Sequence, residues 1–313
     1  MRAIPYESEE SYTLDRAFNR QDDMDSFDSQ IKTLTEDIED ELKGGNLTFP
    51  TVFDLSLRIK EVADDPGSSL QDMAKIVSAE PVLSARVMKM ANSVLLNPYQ
   101  REVTSVSAAI SRIGSSSLRC LAYAVAADQL ARDHRTPRMR MLATDLWRHS
   151  IDVAAWSYAF ARHYKLPSPD AALLAGLMVS IGHFYLLAKA TRHPALESEI
   201  ERFAEFVLLW DEPVKRAVLE ALELPLEIIE ASDLSTGSSG ENVPEWPPQT
   251  LAEVVFLATL AAETENPFAV LLNIRRRPEL LEASLGEQGH QTLEQLLETA
   301  RQTRDEMLAA AGS

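Results

Sequence analysis

The chain has 313 residues, of which 45% are hydrophobic and 25% charged. This composition is typical of a folded globular protein and excludes a fibrous or disordered one, and the length predicts about two domains. With 48 acidic and 30 basic residues the net charge is −18. A DNA backbone would therefore repel the average surface, which argues against nonspecific nucleic-acid binding.

The cellular compartment is predicted from three features. No uninterrupted run of about 18 apolar residues is present, so no membrane insertion is expected. The acidic start MRAIPYESEESYTLD lacks the apolar segment of a signal peptide. The single cysteine, Cys120, excludes an intramolecular disulfide and a cysteine zinc site, and its apolar neighbours indicate a small buried hydrophobe. Together these features favour a cytoplasmic protein.

Residues 1–46 carry 13 acidic and 5 basic residues, a large share of the net charge. Apolar residues then recur at helical spacing, at Ile31, Leu34, Ile38 and Leu42. We interpret this segment as a loose acidic arm that leads into one amphipathic helix. A solvated extension is one reading of the arm, and a partner-binding or self-inhibitory segment is the other.

Residues 47–233 predict a succession of helices. Ser69 opens one helix with a capping-box pattern, Gly114 closes another as a C-cap, and Ser168 with Pro169 starts a third. The segment 171–188 is apolar almost all round, which is typical of a central helix.

Residues 234–249 are rich in serine, glycine and proline and are predicted to form a linker. Helical patterns follow at 250–263, 267–285 and 290–309, within a C-terminal region that covers residues 250–313. Alternation of period two is nowhere sustained. The predicted fold class is therefore all-α, and the C-terminal helices either form their own domain or pack onto the middle one.

Catalytic motifs are scarce. The six histidines are His134, His149, His163, His183, His193 and His290. No pair falls at i,i+4 around a glutamate, and neither a G-x-S-x-G motif nor a glycine-rich phosphate loop is present. His149 lies on a predicted amphipathic helix and His183 on the predicted central apolar helix. Each is either a satisfied core or surface histidine or a ligand.

Two basic islands oppose the overall charge, Arg132 to Arg140 and Arg275 to Arg277. Arginine forks bind carboxylates and phosphates in a bidentate manner. These islands therefore pair either with the acidic surface of the protein itself or its 1–46 arm, or with a nucleotide or a phosphoprotein.

The order and spacing of several short motifs resemble an HDOD domain over about residues 45–233. In the first half these are Phe49-Pro50, Asp64-Asp65-Pro66, Glu80-Pro81-Val82-Leu83, Ala91-Asn92-Ser93, the Ser105 to Ile110 helix and Ile113-Gly114. In the second half they are Leu146-Trp147-Arg148-His149-Ser150 and the run from Ala175 to His183. The resemblance implies a multi-helical frame related to that of HD-type metal-dependent phosphohydrolases.

The resemblance also implies a degenerate metal site. The catalytic relatives hold metal with a first histidine, a consecutive His-Asp pair and a later aspartate. His149 resembles the first of these, but Val179 and Ser180 stand where the pair is expected, and His183 stands in place of a frequent lysine. Valine has no donor atom and a neutral serine hydroxyl is a poor one, so we expect no metal, no cofactor and no catalytic residue.

The resemblance favours a non-enzymatic bacterial signalling or regulatory scaffold that binds protein partners. One alternative is a metal-dependent phosphohydrolase acting on a nucleotide or cyclic dinucleotide, with His149, His183 and either Asp145 or Asp211. The other alternative is a nucleotide or second-messenger sensor that uses the four arginines Arg132, Arg135, Arg138 and Arg140. The sequence predicts neither the partner nor the oligomeric state.

A partner surface is expected in the cleft between the two helical halves, where Asn92, Ser93 and His149 are the candidate polar contacts. A buried asparagine can instead tie down a helix end through backbone hydrogen bonds. Trp147 and Trp156 lie nine residues apart and face different sides of one helix. We expect one of them in the core and the other exposed as an interface anchor.

Overall fold

The computed structural model describes residues 9–49, 54–92, 101–133, 136–222, 224–234, 244, 246–274 and 278–311. Within these ranges the chain is helical and contains no strand, which confirms the predicted all-α class. Residues Pro194–Glu197 form a short 3-10 helix. The helices are α1 (Glu9–Gly44), α2 (Asp54–Asp64), α3 (Leu70–Ser78), α4 (Pro81–Ala91), α5 (Val106–Asp133), α6 (Pro137–His163), α7 (Pro169–Met178), α8 (Ile181–Ala190), α9 (Ile200–Ala221), α10 (Leu226–Leu234), α11 (Leu251–Ala261), α12 (Pro267–Leu271) and α13 (Pro278–Ala311).

Helix ends lie where short-range chemistry predicts them. Ser69 caps α3 in a capping box, its hydroxyl accepting from the Asp72 N–H at 3.3 Å. Ser168 caps α7 by accepting from the Ala171 N–H at 3.1 Å. Gly114 has φ +78° inside α5, a conformation that favours glycine, so two helical segments meet there at a kink.

The apolar segment 171–188 forms two helices and not the single one that its composition predicts. The break falls at Val179 and Ser180, and Ser180 has a non-helical ψ of 14°. Helix α8 is buried along its whole length, and α7 is buried from Ala172 onward. The break turns the N-terminus of α8 towards α9, with which α8 is in extensive contact.

By length and composition, one stretch of the described residues, Pro169–Ala190, is apolar enough to cross a membrane. It comprises α7, the break and α8, and 94% of its most apolar window is buried inside the protein. A core helix of a globular protein is as apolar as a membrane-spanning one, and the burial of this stretch inside the protein is that of a core helix.

The second half of α1 is packed against the middle of the chain. Phe27, Leu34 and Ile38 are at most 1% exposed, so from Phe27 onward the predicted acidic arm is not a solvated extension. Glu41 receives hydrogen bonds from the Tyr185 hydroxyl at 2.8 Å and from the Lys189 ammonium at 2.5 Å, both on α8. The boundaries that we predict for the arm, middle domain, linker and C-terminal region stay predictions.

The C-terminal helices pack onto the middle of the chain. Helices α11 and α13 both lie against α6, and Leu296 and Ala300 of α13 are buried. The two helices predicted over 267–285 and 290–309 are divided differently. Helix α12 ends at Leu271, and α13 runs without a break from Pro278, a residue suited to a first helical turn.

We predict that Gly176→Ala destabilises the protein by about 1–3 kcal/mol, because α6 and α7 approach closely at this residue. A Cβ on Gly176 would lie 2.7 Å from the Ala154 Cα and 2.6 Å from the Ser157 Oγ. Urea denaturation at neutral pH measures the change. Gly44→Ala is the matched control, since a Cβ there meets nothing within 4 Å. Equal stability changes in the two variants would contradict the close packing.

We predict that Glu41→Gln lowers the free energy of unfolding by about 1–2 kcal/mol at pH 7 and that the difference shrinks in acid. Burial tends to raise the pKa of Glu41, but its hydrogen bonds to Lys189 and Tyr185 outweigh burial and lower it below the ordinary 4.5. The charged carboxylate therefore stabilises the native chain above pH 4.5, and this contribution is lost as the pH falls through the folded-state pKa.

Denaturation of both proteins between pH 7 and pH 3 measures this effect. Glu39→Gln is the control, because the Glu39–Lys43 pair lies on the surface and such pairs contribute little. A Glu41→Gln difference that stays constant down to pH 3 would contradict the assignment.

Candidate functional site

Three helices bring their polar side chains together at one place in the interior. Helix α6 contributes His149 and Asp152, α8 contributes His183 and α9 contributes Asp211. We call these four residues the polar centre. Each is at most 7% exposed. Residues 263–268, the loop after α11 and the start of α12, lie across this centre and are called the C-terminal strap.

Thr264 of the strap is held through both its main-chain groups. Its carbonyl oxygen lies 3.0 Å from Nδ1 of His149, and because a carbonyl only accepts, Nδ1 carries the hydrogen. Its N–H donates to Oδ2 of Asp152 at 2.8 Å, and its hydroxyl donates to the same oxygen at 3.0 Å. His149 and Asp152 lie three residues apart on α6, a spacing that places both on one helix face.

The other end of the strap contacts His183. The Asn266 side-chain amide lies 3.4 Å from Nε2 of His183, and the Phe268 ring lies 5.2 Å from the imidazole, centroid to centroid. Asn266 also caps α12, since its Oδ1 accepts from the Phe268 N–H at 3.0 Å. With Pro267 at the first helical position, this cap fixes where the strap turns into α12.

An exposed ion cluster holds the strap at its outer edge. Glu263 accepts hydrogen bonds from Arg301 at 2.5 Å and from Arg304 at 2.8 Å, both on α13. These two guanidinium groups lower the pKa of Glu263 to about 2. Arg304 also lies 3.7 Å from Oδ1 of Asp152, so one arginine links the surface cluster to the polar centre.

Behind the strap, Asp211 faces two basic side chains. Its Oδ1 lies 2.7 Å from Nδ1 of His183. Its Oδ2 lies 3.8 Å from the ammonium of Lys215, which is 0% exposed. Burial alone would raise the pKa of Asp211, but His183 and Lys215 outweigh burial and lower it.

Gly182 permits the approach of Asp211. A Cβ on Gly182 would lie 2.5 Å from Oδ1 and 2.7 Å from the carbonyl oxygen of Asp211. The carboxylate therefore lies against the first turn of α8, where the helix dipole favours negative charge.

The donor set does not fit a resident metal ion. Val179 offers no donor, and the Ser180 Oγ, although buried, has no hydrogen-bond partner among the described residues. The ring nitrogens of His183 face Asn266 and Asp211, and Oδ2 of Asp152 is occupied by Thr264. Across the part of the chain that the structure describes, no three His, Cys, Asp or Glu side chains are grouped so as to hold a metal.

Asn92 was predicted either to contact a partner or to tie down a helix end, and the structure shows the second role. Its amide donates to the Val103 carbonyl at 2.9 Å, and its Oδ1 accepts from the Val103 N–H at 2.8 Å. The residue thus ties the end of α4 to the segment before α5. Its predicted neighbour in the cleft, Ser93, lies outside the described residues.

The expectation of an exposed tryptophan anchor on α6 is wrong. Trp147 and Trp156 are both 2% exposed, because helices pack against α6 on more than one side. Trp147 is therefore a core residue and not part of an accessible cleft.

In the basic island from Arg132 to Arg140, Arg138 forms an ion pair with Glu201 of α9 at 2.7 Å. This agrees with the interpretation that the island pairs with the acidic surface of the protein itself. Arg140 is exposed. Arg135, the side chain of Arg132 and residues 275–277 lie outside the described residues.

The sequence analysis identified His149 and His183 but missed Asp152, Lys215 and the strap. Asp152 had a usable signal, because it follows His149 by three residues on the same predicted amphipathic helix. Lys215 had a weaker one, four residues after Asp211. The strap had none, because it meets α6 across more than a hundred residues of sequence.

We predict that Asp211→Asn destabilises the protein by about 3 kcal/mol, because it removes the buried carboxylate that faces His183 and Lys215. Thermal and urea denaturation at pH 7 measure the loss. Glu212→Gln is the control, since Glu212 is the exposed neighbour on the same helix. A native stability for Asp211→Asn would show that the buried pair contributes nothing.

Comparisons with known proteins agree on the helical fold. The HDOD domain family matches residues 49–208, slightly more than half of the chain. A crystal structure from Shewanella amazonensis SB2B, described as a "putative metal-dependent phosphohydrolase", is 25% identical with a TM-score of 0.60, covering 89% of this chain and 99% of that one. A comparison with curated proteins gives no match.

Two further crystal structures share the fold. An "HDOD domain protein with unknown function" from Geobacter sulfurreducens is 21% identical with a TM-score of 0.54, covering 90% of this chain and 99% of that one. A "putative signal transduction protein" from Marinobacter aquaeolei VT8 is 23% identical, also with a TM-score of 0.54, covering 94% of this chain and 66% of that one. The matched segment and its helical frame show that the chain belongs to the HDOD family.

Proposed function

We propose that this protein is a non-enzymatic scaffold that works through protein–protein contacts in a bacterial signalling pathway, in the cytoplasm. The observation that carries the proposal is that the strap occupies the polar centre through hydrogen bonds to its main chain. Nδ1 of His149 is bonded to the Thr264 carbonyl. The Asp152 carboxylate is occupied by the N–H and hydroxyl of Thr264 and by the guanidinium of Arg304. A centre that binds peptide groups serves recognition, whereas a hydrolytic centre must keep a coordination position open for water.

Two further points support the proposal. Val179 and Ser180 leave the centre short of ligands, and without a metal no bound water is activated at neutral pH. The name of the Marinobacter structure places that protein in signal transduction, which agrees with the role proposed here.

A metal-dependent phosphohydrolase is the second candidate, favoured by the name of the Shewanella structure. The acids available to it would be Asp152 and Asp211. Asp145, an acid considered from the sequence, pairs instead with Arg148 near the surface at 3.5 Å. This candidate requires the strap to leave the centre.

The experiment that separates the two candidates combines metal analysis with a hydrolysis assay. The full chain is treated with a chelator, reloaded with manganese, iron or nickel, and assayed on cyclic dinucleotides and nucleotide phosphates. We expect no stoichiometric metal and no hydrolysis above the rate in buffer.

His149→Ala tests whether any signal belongs to the polar centre, and His163→Ala, at the exposed end of α6, is the matched control. Stoichiometric metal together with hydrolysis that is lost in His149→Ala but kept in His163→Ala would overturn the scaffold proposal.

A further inference from the structure

Every contact that the structure describes for the Asp152 carboxylate comes from the C-terminal region. Its partners are the N–H and the hydroxyl of Thr264 and the guanidinium of Arg304. The carboxylate is 1% exposed. A buried carboxylate without partners is strongly unfavourable, so α6 carries at this position a group that requires a ligand from elsewhere in the chain.

The three residues of the polar centre that contact the strap belong to a different part of the chain from the strap itself. His149, Asp152 and His183 lie within residues 49–208, which match the HDOD family, whereas Asp211 and the strap at 263–268 lie beyond them. The family frame therefore supplies the receiving side chains, and a segment outside the frame supplies what they bind.

The contacts are made to main-chain groups of the strap, as in sites that bind peptides. Both main-chain groups of Thr264 are hydrogen-bonded. Its carbonyl accepts from Nδ1 of His149, and its N–H donates to Oδ2 of Asp152. Side-chain pockets add selectivity to such main-chain pairing. Here the Thr264 hydroxyl reaches Asp152, and the Phe268 ring is in contact with the rings of His183 and Phe203.

The fastening of the strap to α13 is accessible to solvent. The side chains of Glu263 and Arg301 are 37% and 47% exposed. Exposed ion pairs of this kind contribute little net free energy and are screened by salt. The strap is thus fastened at its outer edge by contacts that a charge change weakens without disturbing the core helices.

We propose that the C-terminal strap is a releasable intramolecular ligand and that the polar centre beneath it is a peptide-binding site. The site takes a segment that bends at a hydroxyl-bearing residue in the Thr264 position and has an aromatic residue four positions later. This inference rests on the proposed scaffold function and deepens it, because it names the place where a partner docks and the chemistry of the docking segment.

The first part of the test measures release of the strap in the full-length protein. Glu263→Arg places a third positive charge beside Arg301 and Arg304. Glu265→Arg makes the same charge change two residues away, at an exposed residue that is not in an ion pair described by the structure. We expect amide hydrogen exchange in residues 262–268 to become about tenfold faster in Glu263→Arg and to stay unchanged in Glu265→Arg.

The second part measures binding in trans. A fluorescein-labelled peptide with the sequence of residues 261–270, AAETENPFAV, is titrated into each variant and followed by anisotropy. We expect binding to Glu263→Arg with a Kd on the order of 10–100 µM, and at least about tenfold weaker binding to the wild type and to Glu265→Arg. A Glu263→Arg, Asp152→Ala double variant should lose the binding, and a scrambled peptide should not bind.

The proposal is overturned by any of three results. The first is that Glu263→Arg leaves amide exchange in the strap unchanged. The second is that the strap exchanges only together with α6 and α8, which would make it an inseparable part of the core. The third is that the strap is released and the peptide still does not bind. None of these results bears on metal binding or hydrolysis, so failure of this inference is distinguishable from failure of the scaffold proposal.

Discussion

The contact between the Asp152 carboxylate and Thr264 is the constraint on which the polar centre depends. Asp152 is buried on the helix that forms the middle of the fold, and the groups it contacts lie more than a hundred residues further along the chain. Because a buried charge must be paired or hydrogen-bonded, the C-terminal region has to lie across α6 for the centre to exist in this form. The packing of α11 and α13 on α6 supplies the apolar part of the same attachment.

A second buried charge is neutralised on the other side of the centre by groups within the middle of the chain. Asp211 faces His183 and Lys215, and its proximity to the first turn of α8 depends on the missing side chain at Gly182. The polar centre therefore contains two carboxylates with different partners. Asp211 faces basic groups of the middle helices, whereas Asp152 is bonded to the strap. This asymmetry is the physical reason for regarding the strap as a ligand.

Much of the fold could be predicted from the sequence because its signals are short-range. The caps at Ser69 and Ser168 depend on residues within one helical turn, and the structure confirms both. Gly114, predicted to close a helix, lies with positive φ at a kink between two helical segments. The break at Ser180 was missed because no glycine or proline marks it and both flanking helices are apolar.

The candidate site could be predicted only in part. His149 and His183 were found through the family resemblance, and Val179 and Ser180 through the same alignment of motifs. Trp147 was misassigned because periodicity shows that two tryptophans face different sides of a helix, but not that both sides are covered. The strap depends on tertiary contacts that leave no pattern in the local sequence.

The measurement that tests the central claim most directly is a crystal structure of the full chain soaked in manganese, with anomalous scattering recorded near the metal edge. The account predicts no anomalous peak at the polar centre and a Thr264 main chain still bonded to His149 and Asp152. A strong peak within coordination distance of His149 and Asp152, with the strap displaced, would contradict it.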